Sequence, residues 1–242
     1  MISILSVNRN CVDWMQLLVQ SVKKFTTVPY EIVIVDNDSK DDSVAWLKSR
    51  WDVKAVMLNT NIGHGAGLDL GLKHVSNRFC LVLDIDAHIM RRHWDYDLLD
   101  VYNSNGDIRL IAAKGGEAKP VHPCVMFFEA EFFREHNLSF VPTDGYDVGR
   151  KIYPDILDLG YKVSMLHVGY EKPKTKYYEG VWGDVYYLNQ QPLAYHNWYS
   201  ARMWNKDRVD DLTKEEFERR KAILFSHPHV KEILGHPKSI EH

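Results

Sequence analysis

The sequence predicts an α/β fold, with one domain built on a doubly wound, mostly parallel sheet. The first observation is that short β-branched runs alternate with helix-length amphipathic segments through the first half of the 242 residues. The second is that two runs, residues 31–35 (EIVIV) and 79–83 (FCLVL), are continuously apolar, which is typical of strands buried on both faces of a parallel sheet. A β-α-β-α-β-α-β order with such strands indicates a doubly wound sheet.

The first half of the chain accounts for most of this pattern. Strands are predicted at residues 2–7, 31–35, 53–58 and 79–83, and helices at residues 12–24, 43–50 and 68–75. The first helix has four large apolar residues at helical spacing, which defines its buried face. These residues are Trp14, Leu17, Leu18 and Val22.

The second half is less regular. Strands are predicted at residues 110–113 and 124–128, and helices at 129–136, 147–159 and 213–225; residues 170–204 have no clear period and predict loops and short strands. A kink or a later start of the 147–159 helix, caused by Pro154, is the alternative. Thr213 and Glu216 form a capping-box pattern at the start of the last helix. We therefore expect one domain over residues 1–205, with halves at 1–105 and 106–205, and a C-terminal helical extension over 206–242.

Composition excludes several classes of protein. A net charge of −3, with scattered basic residues, gives no reason to expect a nucleic-acid partner. No apolar stretch approaches the roughly 20 residues that span a bilayer, so no integral membrane segment is expected. The N-terminus lacks the pattern of a signal peptide, and three cysteines are too few for a disulfide framework. We expect a cytoplasmic protein, with peripheral contact at a membrane left open.

Two acidic clusters directly follow buried strands. Residues 36–39 (DNDS) follow the second strand, and Asp84-Ile85-Asp86 follows the fourth. Ligands of open α/β sheets bind outside the carboxyl ends of the strands. Two carboxylates two residues apart in an extended chain project to the same side, where Mg²⁺ or Mn²⁺ could bridge them to a diphosphate. A strand-end turn without a metal is the alternative.

A glycine-rich segment, residues 61–71 (NIGHGAGLDLG), lies between the two acidic clusters. Glycines at the start of a helix allow backbone N–H groups to approach a phosphate. The segment follows the third strand and lacks the G-x-G-x-x-G spacing, so it is not a dinucleotide fingerprint. Tight packing of the helix on the sheet is an equally good interpretation.

Together these pieces resemble the family 2 glycosyltransferases of the GT-A fold, a Rossmann-like fold of the nucleotide-diphospho-sugar transferase superfamily. The ordered set covers about residues 2 to 170 and includes a strand ending near Asn8, VDNDS at residues 35–39, N-x-G at residues 61–63 and D-x-D at residues 84–86. The resemblance implies that Asp36 contacts the nucleotide base and that Asp84 and Asp86 handle ribose, metal and diphosphate. The nucleotide-sugar-binding residues expected from it are Val7, Asn8, Asp36, Asn61, Gly63, Asp84 and Ile85.

The resemblance also implies an acidic general base near a helix start in the second half. The usual adjacent Glu-Asp pair is missing, because residues 143–147 read TDGYD. Asp147, at the predicted helix start, is the first candidate for the base, and Asp144 is the second. An N-cap role for Asp147 is the alternative.

A histidine from the C-terminal region is the further metal ligand that the resemblance implies. His196 lies in an aromatic-rich stretch, HNWY, and is the first candidate. His167, which ends a strand-like run, is its competitor.

The function implied by the resemblance is a metal-dependent, inverting glycosyltransferase of the hexosyltransferase type. Its donor would be a UDP-, GDP- or dTDP-linked sugar, and its acceptor a hydroxyl of a glycan, a lipid-linked molecule or a small molecule. Two alternatives stay open. The missing Glu-Asp pair favours a nucleotide-sugar-binding protein without turnover, and a nucleotidyltransferase would carry an early glycine-rich basic signature where this chain has only Arg9.

Overall fold

The computed structural model describes residues 1–115, 120–143, 145–168, 183–198, 200, 202–203, 208–209 and 212–235. The elements up to residue 104 are β1 (Ile2–Asn8), α1 (Val12–Phe25), β2 (Tyr30–Asn37), α2 (Ser43–Lys48), β3 (Lys54–Leu58), α3 (His64–Leu72), β4 (Phe79–Leu83), β5 (Ala87–Ile89) and α4 (Trp94–Ser104). Those that follow are β6 (Ile108–Lys114), β7 (Val121–Glu129), α5 (Ala130–Glu135), α6 (Ile152–Asp158), β8 (Lys162–Val168), β9 (Asp184–Leu188), β10 (Gln191–His196), β11 (Arg208–Val209), β12 (Leu212–Thr213), α7 (Lys214–Ser226) and α8 (Pro228–Leu234).

Ten strands form one mixed sheet in the order β3-β2-β1-β4-β7-β6-β8-β9-β10-β5. The strands β3, β2, β1 and β4 are parallel, as the β-α-β pattern predicts. Strand β7 is antiparallel to β4 and β6, while β6 and β8 are parallel. The remaining pairs, from β8 to β5, are antiparallel. The predicted α/β fold is therefore confirmed, with its parallel pairs concentrated in the N-terminal half.

The sheet separates two apolar clusters and is covered by helices on both faces. Ile2 and Ile4 of β1 belong to the cluster that includes residues of α1, α4, α7 and α8. Leu5 and Val7 of the same strand belong to the cluster that includes residues of α3, α5 and α6. Because the side chains of a strand alternate between its two faces, this division produces a three-layer α/β/α arrangement.

Two helix starts differ from the sequence prediction. Helix α6 begins at Ile152 rather than at residue 147. Pro154, which has no N–H to donate, is thereby placed in the first turn, where that N–H would have no partner in the helix. Gly149 has φ +66°, a left-handed conformation that cannot lie inside an α-helix, so residues 147–149 cannot belong to α6. Helix α3 begins at His64, four residues earlier than predicted, because its glycines fit against the sheet.

The C-terminal helices α7 and α8 pack on α1. Thr213 caps α7, as predicted, and its side chain accepts a hydrogen bond from Glu216 N at 3.2 Å. The ring of Trp14 in α1 lies 5.1 Å from that of Phe225 and 6.4 Å from that of Phe217. No helix within the described residues combines the length and apolarity needed to cross a lipid bilayer.

The three cysteines are buried and carry free thiols. Cys80 lies in β4 and Cys124 in β7, while Cys11 immediately precedes α1. Burial raises the pKa of the Cys80 thiol, since a thiolate is costly in an apolar interior. Cys80 therefore behaves as a small apolar side chain.

Asp52 links α1 to the turn before β3. Its carboxylate lies 2.7 Å from Lys23 Nζ and 2.5 Å from Arg50 Nη2. The hydrogen bond from Arg50 lowers the pKa of Asp52, and burial opposes it. A second hydrogen bond, from Lys23, lowers the pKa further, to about 2. Because this folded-state pKa lies below the unfolded value of about 3.9, the stabilisation is complete above that pH and is lost as the pH falls towards 2.

We expect Asp52→Asn to lower the free energy of unfolding by about 1 kcal/mol at neutral pH, after allowance for solvent screening of a partly exposed pair. The loss should shrink as the pH falls below about 4. Urea unfolding of both proteins between neutral and acidic pH measures it. Asp107→Asn is the control, because its pair with Lys162 is exposed on both sides, and it should cause no measurable change. An Asp52→Asn effect that is independent of pH would contradict this account.

Candidate active site

The predicted metal pair, Asp84 and Asp86, lies in the turn that joins β4 to β5. Ala87 N donates to Asp84 O at 2.9 Å and closes this turn. The two carboxylates are therefore positioned by a turn, and the expectation that an extended chain aligns them is wrong. The chain leaves the parallel strands at this turn and enters the antiparallel β10–β5 pair.

His196 is the last residue of β10 and reaches the same turn. It is paired with Ala87 in the β10–β5 register, which places its ring beside Asp86. Its Nε2 lies 3.4 Å from Asp84 Oδ2 and 3.2 Å from Asp86 Oδ1. His167, its competitor, is exposed on β8 and belongs to neither metal-ligand cluster found among the described residues. The structure thus brings together the three residues predicted as metal ligands.

Charge and burial oppose one another in this cluster. Burial lowers the pKa of His196, but the charges of Asp86 and Cys124 and hydrogen bonds with both aspartates outweigh it and raise the pKa well above its usual value. Burial raises the pKa of Asp84. The hydrogen bond from His196 and the charges of His64 and His196 together outweigh burial, so the pKa of Asp84 is lowered. Burial raises the pKa of Asp86, but the charge of His196 and the hydrogen bonds from His196 and Ser200 together outweigh it, so this pKa is also lowered. In this arrangement His196 is a cation between two carboxylates.

The donor atoms at this turn fit a divalent ion. Asp84 Oδ1 is buried and has no hydrogen-bond partner among the described residues, and it lies 3.4 Å from His64 Nε2. Asp86 Oδ2 accepts a hydrogen bond from Ser200 N at 3.3 Å. Carboxylate oxygens with one imidazole form a ligand set that Mn²⁺ or Mg²⁺ accepts. This buried oxygen accepts no hydrogen bond, so it is available as a ligand of such an ion.

Asn8 and Asp36 lie side by side where β1 and β2 end. They are partners in the parallel register, and Asn8 Nδ2 donates to Asp36 Oδ2 at 2.8 Å. Ser39 N donates to the other oxygen, Oδ1, at 3.0 Å. Asp36 is 1% exposed, so its carboxylate is held rigidly with little access to solvent. Val7 is buried next to them, and the structure thus brings these three predicted residues to one strand edge.

Asn37 holds the predicted N-x-G segment and was not singled out from the sequence. Its Oδ1 accepts from Ile62 N at 2.9 Å, and its Nδ2 donates to Gly63 O at 3.2 Å. Asn61 Oδ1 accepts from Gly63 N at 3.0 Å. The signal was present, since Asn37 is the second residue of the DNDS cluster.

The glycines of α3 serve mainly to pack this helix on the sheet. A Cβ at Gly67 would lie 3.0 Å from Val7 Cγ1, and one at Gly71 would lie 2.3 Å from Leu5 Cδ1. Gly63 differs, because it has φ +90° and open space where a Cβ would point. The packing interpretation therefore applies to the helix itself, and only Gly63 leaves room for a ligand at the helix start.

Ile85 can contact a ligand only through its backbone. Its side chain is 5% exposed and belongs to the core cluster on the α1 face of the sheet. The predicted contact of Ile85 with a nucleotide sugar is thus restricted to its N–H and C=O groups.

The two candidates for the general base are not joined to this cluster by any contact among the described residues. Asp144 lies outside the described residues. Asp147 is exposed, and its Oδ1 accepts from Val148 N at 2.8 Å. Since α6 begins at Ile152, Asp147 is not the N-cap of that helix, and this alternative is wrong. Its catalytic role stays a prediction.

His122 and Cys124 of β7 also lie against His196, and sequence analysis missed both. One ligand atom from each of the three residues lies within 4.8 Å of the others. Burial raises the pKa of Cys124, but the charges of His122 and His196 lower it further, so the pKa is below its usual value. The available signal was the H-P-C sequence at the start of a predicted strand. Trp198 closes the cluster, with its ring 4.6 Å from that of His196.

Comparisons with known proteins agree with this fold. The family model described as glycosyl transferase family 2 matches residues 3–143. The uncharacterized glycosyltransferase YwdF of Bacillus subtilis (strain 168) is 28% identical over 139 residues, which are 54% of this chain and 51% of that protein. The match therefore spans about half the length of this curated relative.

Two solved structures share the fold at low sequence identity. S. aureus TarS 1-349 in complex with UDP-GlcNAc has a TM-score of 0.60 at 15% identity, over 96% of this chain and 70% of that one. The mannosyltransferase PcManGT from Pyrobaculum calidifontis, in complex with GDP-Man and Mn2+, has a TM-score of 0.57 at 15% identity, over 97% and 72% of the two chains. The predicted GT-A fold is thereby confirmed. Since the family model covers more than half of the 242 residues, this chain belongs to glycosyl transferase family 2.

Proposed function

We propose that the chain is a metal-dependent glycosyltransferase that moves a sugar from a nucleotide diphosphate donor to an acceptor hydroxyl and inverts the anomeric centre. The observation that carries this proposal is the convergence of Asp84, Asp86 and His196 at the carboxyl end of β4. Membership of glycosyl transferase family 2 supports the class of reaction.

The strand order supports an extended nucleotide site along one edge of the sheet. Asp36 is the next-to-last residue of β2, Asn8 ends β1 and Asp84 follows β4, and these three strands are adjacent. With strands about 4.8 Å apart, Asp36 and Asp84 are separated by roughly 10 Å. This span suits a nucleoside whose base lies near Asp36 and whose diphosphate lies near Asp84.

The remaining donor contacts follow from this orientation. Val7 and Asn8 flank the base, while Asn61 and Gly63 border the site at the start of α3. Gly63 has the open space noted above, and Asn37 holds its carbonyl in place. Near the diphosphate, Ile85 contributes backbone groups only.

Asp84 and Asp86 would hold the divalent ion through carboxylate oxygens, and His196 through Nε2 once that nitrogen has lost its proton. When bound, Mn²⁺ or Mg²⁺ supplies positive charge that stabilises a departing nucleoside diphosphate. The unpartnered Oδ1 of Asp84 supports this assignment. The Mn²⁺ in the PcManGT complex supports Mn²⁺ as the first ion to test.

The acceptor half of the site depends on Asp147. Direct displacement of the diphosphate by an acceptor hydroxyl inverts the anomeric centre and needs a base that removes the hydroxyl proton. Asp147 is exposed and therefore accessible to an acceptor, with Asp144 as the second candidate. Glycans, lipid-linked molecules and small molecules are the acceptor classes to screen.

The function is tested with UDP-, GDP- and dTDP-linked sugars in the presence and absence of Mn²⁺. We expect one donor class to raise the midpoint of thermal unfolding only with metal, because a ligand that binds the native state stabilises it. The same donor should release nucleoside diphosphate in a metal-dependent reaction. Binding without release, for every donor and acceptor tested, would favour the binding protein without turnover.

Asp147→Asn should lower turnover by about 10²–10⁴-fold, the usual contribution of a general base, and should leave the donor-dependent thermal shift intact. The matched control is Asp155→Asn, because Asp155 lies in the same region but is paired with Lys151. That variant should turn over normally. Near-normal turnover of Asp147→Asn would transfer the role to Asp144 or to another residue.

A further inference from the structure

A second cluster of metal-ligand atoms lies beside the carboxylate pair. It comprises His122 and Cys124 of β7 and His196 of β10, with one ligand atom of each within 4.8 Å of the others. Cys124 and His196 are buried, and His122 is half-buried. The proposed transfer gives no role to His122 or Cys124. The interior therefore holds a compact set of one thiol and two imidazoles that the reaction does not explain.

An irregularity in β7 creates this cluster. The register of β7 against β6 skips between two neighbouring pairs, Ala112–Met126 and Ala113–His122. Residues 123–125 consequently have no partner in β6 and form a bulge against that strand, although Val125 stays paired with Leu83 of β4. The middle residue of the bulge is the cysteine of the cluster. Bulges re-aim side chains and are over-represented next to active sites.

The second nitrogen of His196 points to a bound ion. Nε2 faces Asp84 and Asp86, as described above. Nδ1 is buried and has no hydrogen-bond partner among the described residues, and the side chain is only 3% exposed. A buried polar atom without a partner is costly, and a metal ion would remove that cost.

We propose that His122, Cys124 and His196 form a Zn²⁺ site that shares His196 with the carboxylate site. Thiolate and imidazole are the ligands of protein-bound Zn²⁺, whereas Mg²⁺ and Mn²⁺ favour carboxylates. Binding forms a Zn–S bond and two Zn–N bonds as the Cys124 thiol and the His196 imidazolium each release one proton to solvent, and a water completes the tetrahedral coordination.

Sharing of His196 gives the site a regulatory consequence. Zn²⁺ bound through Nδ1 withdraws electron density from the same imidazole whose Nε2 would ligate Mn²⁺, and it therefore weakens the Mn²⁺-supported reaction. This consequence rests on the proposed function, whereas Zn²⁺ binding itself does not.

Co²⁺ is the probe for this site, because a Co²⁺–thiolate bond gives charge-transfer absorption in the near ultraviolet that oxygen and nitrogen ligands do not give. The full chain, kept reduced, should develop this absorption on titration with Co²⁺ and lose it when Zn²⁺ is added. Cys124→Ser should abolish the absorption. His122 is a direct ligand in this proposal. Because loss of even an outer-shell partner typically costs 10–100-fold in metal affinity, His122→Gln should weaken Co²⁺ binding by more than about 10-fold.

Two control variants separate Co²⁺ ligation by Cys124 from ligation by another thiol and from binding at the carboxylate pair. Cys80→Ser removes a buried cysteine outside both ligand clusters and should leave the absorption unchanged. Asp86→Asn should retain the absorption at saturating Co²⁺, although Mn²⁺-dependent donor binding is lost. Absorption that persists in Cys124→Ser, or that is absent from the wild-type chain, would overturn the proposal. Circular dichroism verifies that each variant is folded, and a failure of sugar transfer leaves the absorption unaffected.

Discussion

Asp86→Asn is expected to abolish metal-dependent binding of the nucleoside diphosphate and to lower kcat/KM for transfer by at least about 10³-fold, because a metal contributes several kcal/mol of charge stabilisation and each 1.36 kcal/mol is tenfold in rate. The substitution keeps the shape of the side chain and removes its charge. Asp86 Oδ1 lies 3.2 Å from His196 Nε2, so removal of the Asp86 charge weakens both the binding of the ion and the contact with His196. Calorimetric titration with UDP, GDP and dTDP in the presence of Mn²⁺ measures the loss of nucleotide binding. Initial rates of sugar transfer measure the fall in kcat/KM.

The control for this variant is a carboxylate outside the site. Asp107→Asn removes an exposed carboxylate paired with Lys162 at 3.1 Å and should leave binding and transfer unchanged. Circular dichroism of Asp86→Asn without metal should match that of the wild type. Unchanged affinity for the nucleoside diphosphate with Mn²⁺ would remove Asp86 from the metal site.

Gly65→Ala is expected to lower the free energy of unfolding by about 2 kcal/mol. A Cβ at Gly65 would lie 2.3 Å from Phe140 O and 2.9 Å from Val141 Cα, which are backbone atoms that cannot rotate away. Overpacking of this kind costs about 3 kcal/mol, and the better helix propensity of alanine returns about 1 kcal/mol. Urea unfolding at neutral pH measures the net effect.

Phe140 cannot move aside without breaking its own hydrogen bonds. Its N donates to Asp69 Oδ1 at 2.9 Å, and its O accepts from Gly149 N at 2.9 Å. Helix α3 must therefore shift instead, and His64 at its first position would move away from Asp84. Weaker donor binding should accompany the loss of stability.

Gly106→Ala is the matched control for this substitution. A Cβ at Gly106 would meet no atom within 4 Å. Its free energy of unfolding should stay within about 0.5 kcal/mol of the wild type, as for other surface substitutions. A Gly65→Ala protein as stable as the wild type would show that α3 packs less tightly against residues 140–141 than the structure indicates.

The strands and helices up to residue 83 could be predicted because their signals are local, whereas β5 and α4 were missed. Residues 79–83 are strand β4 with the predicted bounds, and α1 differs from its prediction by one residue at its C-terminus. An apolar run or a helical spacing of apolar residues involves residues that are close together in the sequence. Such patterns indicate which side chains are buried, so they can be recognised in a single sequence. For helix α6 the sequence left open whether Pro154 kinks the helix or delays its start, and the structure has the late start at Ile152. The sequence could not decide because the position of Pro154 within the helix depends on where the preceding turn ends.

The sequence by itself determined the α/β class and the acidic residues at the ends of β2 and β4, and it put His196 ahead of His167 as the candidate metal ligand. The tertiary structure decided between these two histidines, because only His196 belongs to a ligand cluster among the described residues. Only the tertiary structure decided that Asp84, Asp86, His196, His122 and Cys124 form one connected group. Asp86 and Ser200, which share a hydrogen bond, are 114 positions apart, and His122 and Cys124 reach the site through a bulge in β7. Contacts of this kind depend on strand order and register, which arise from the packing of the whole sheet, so no local pattern in the sequence encodes them.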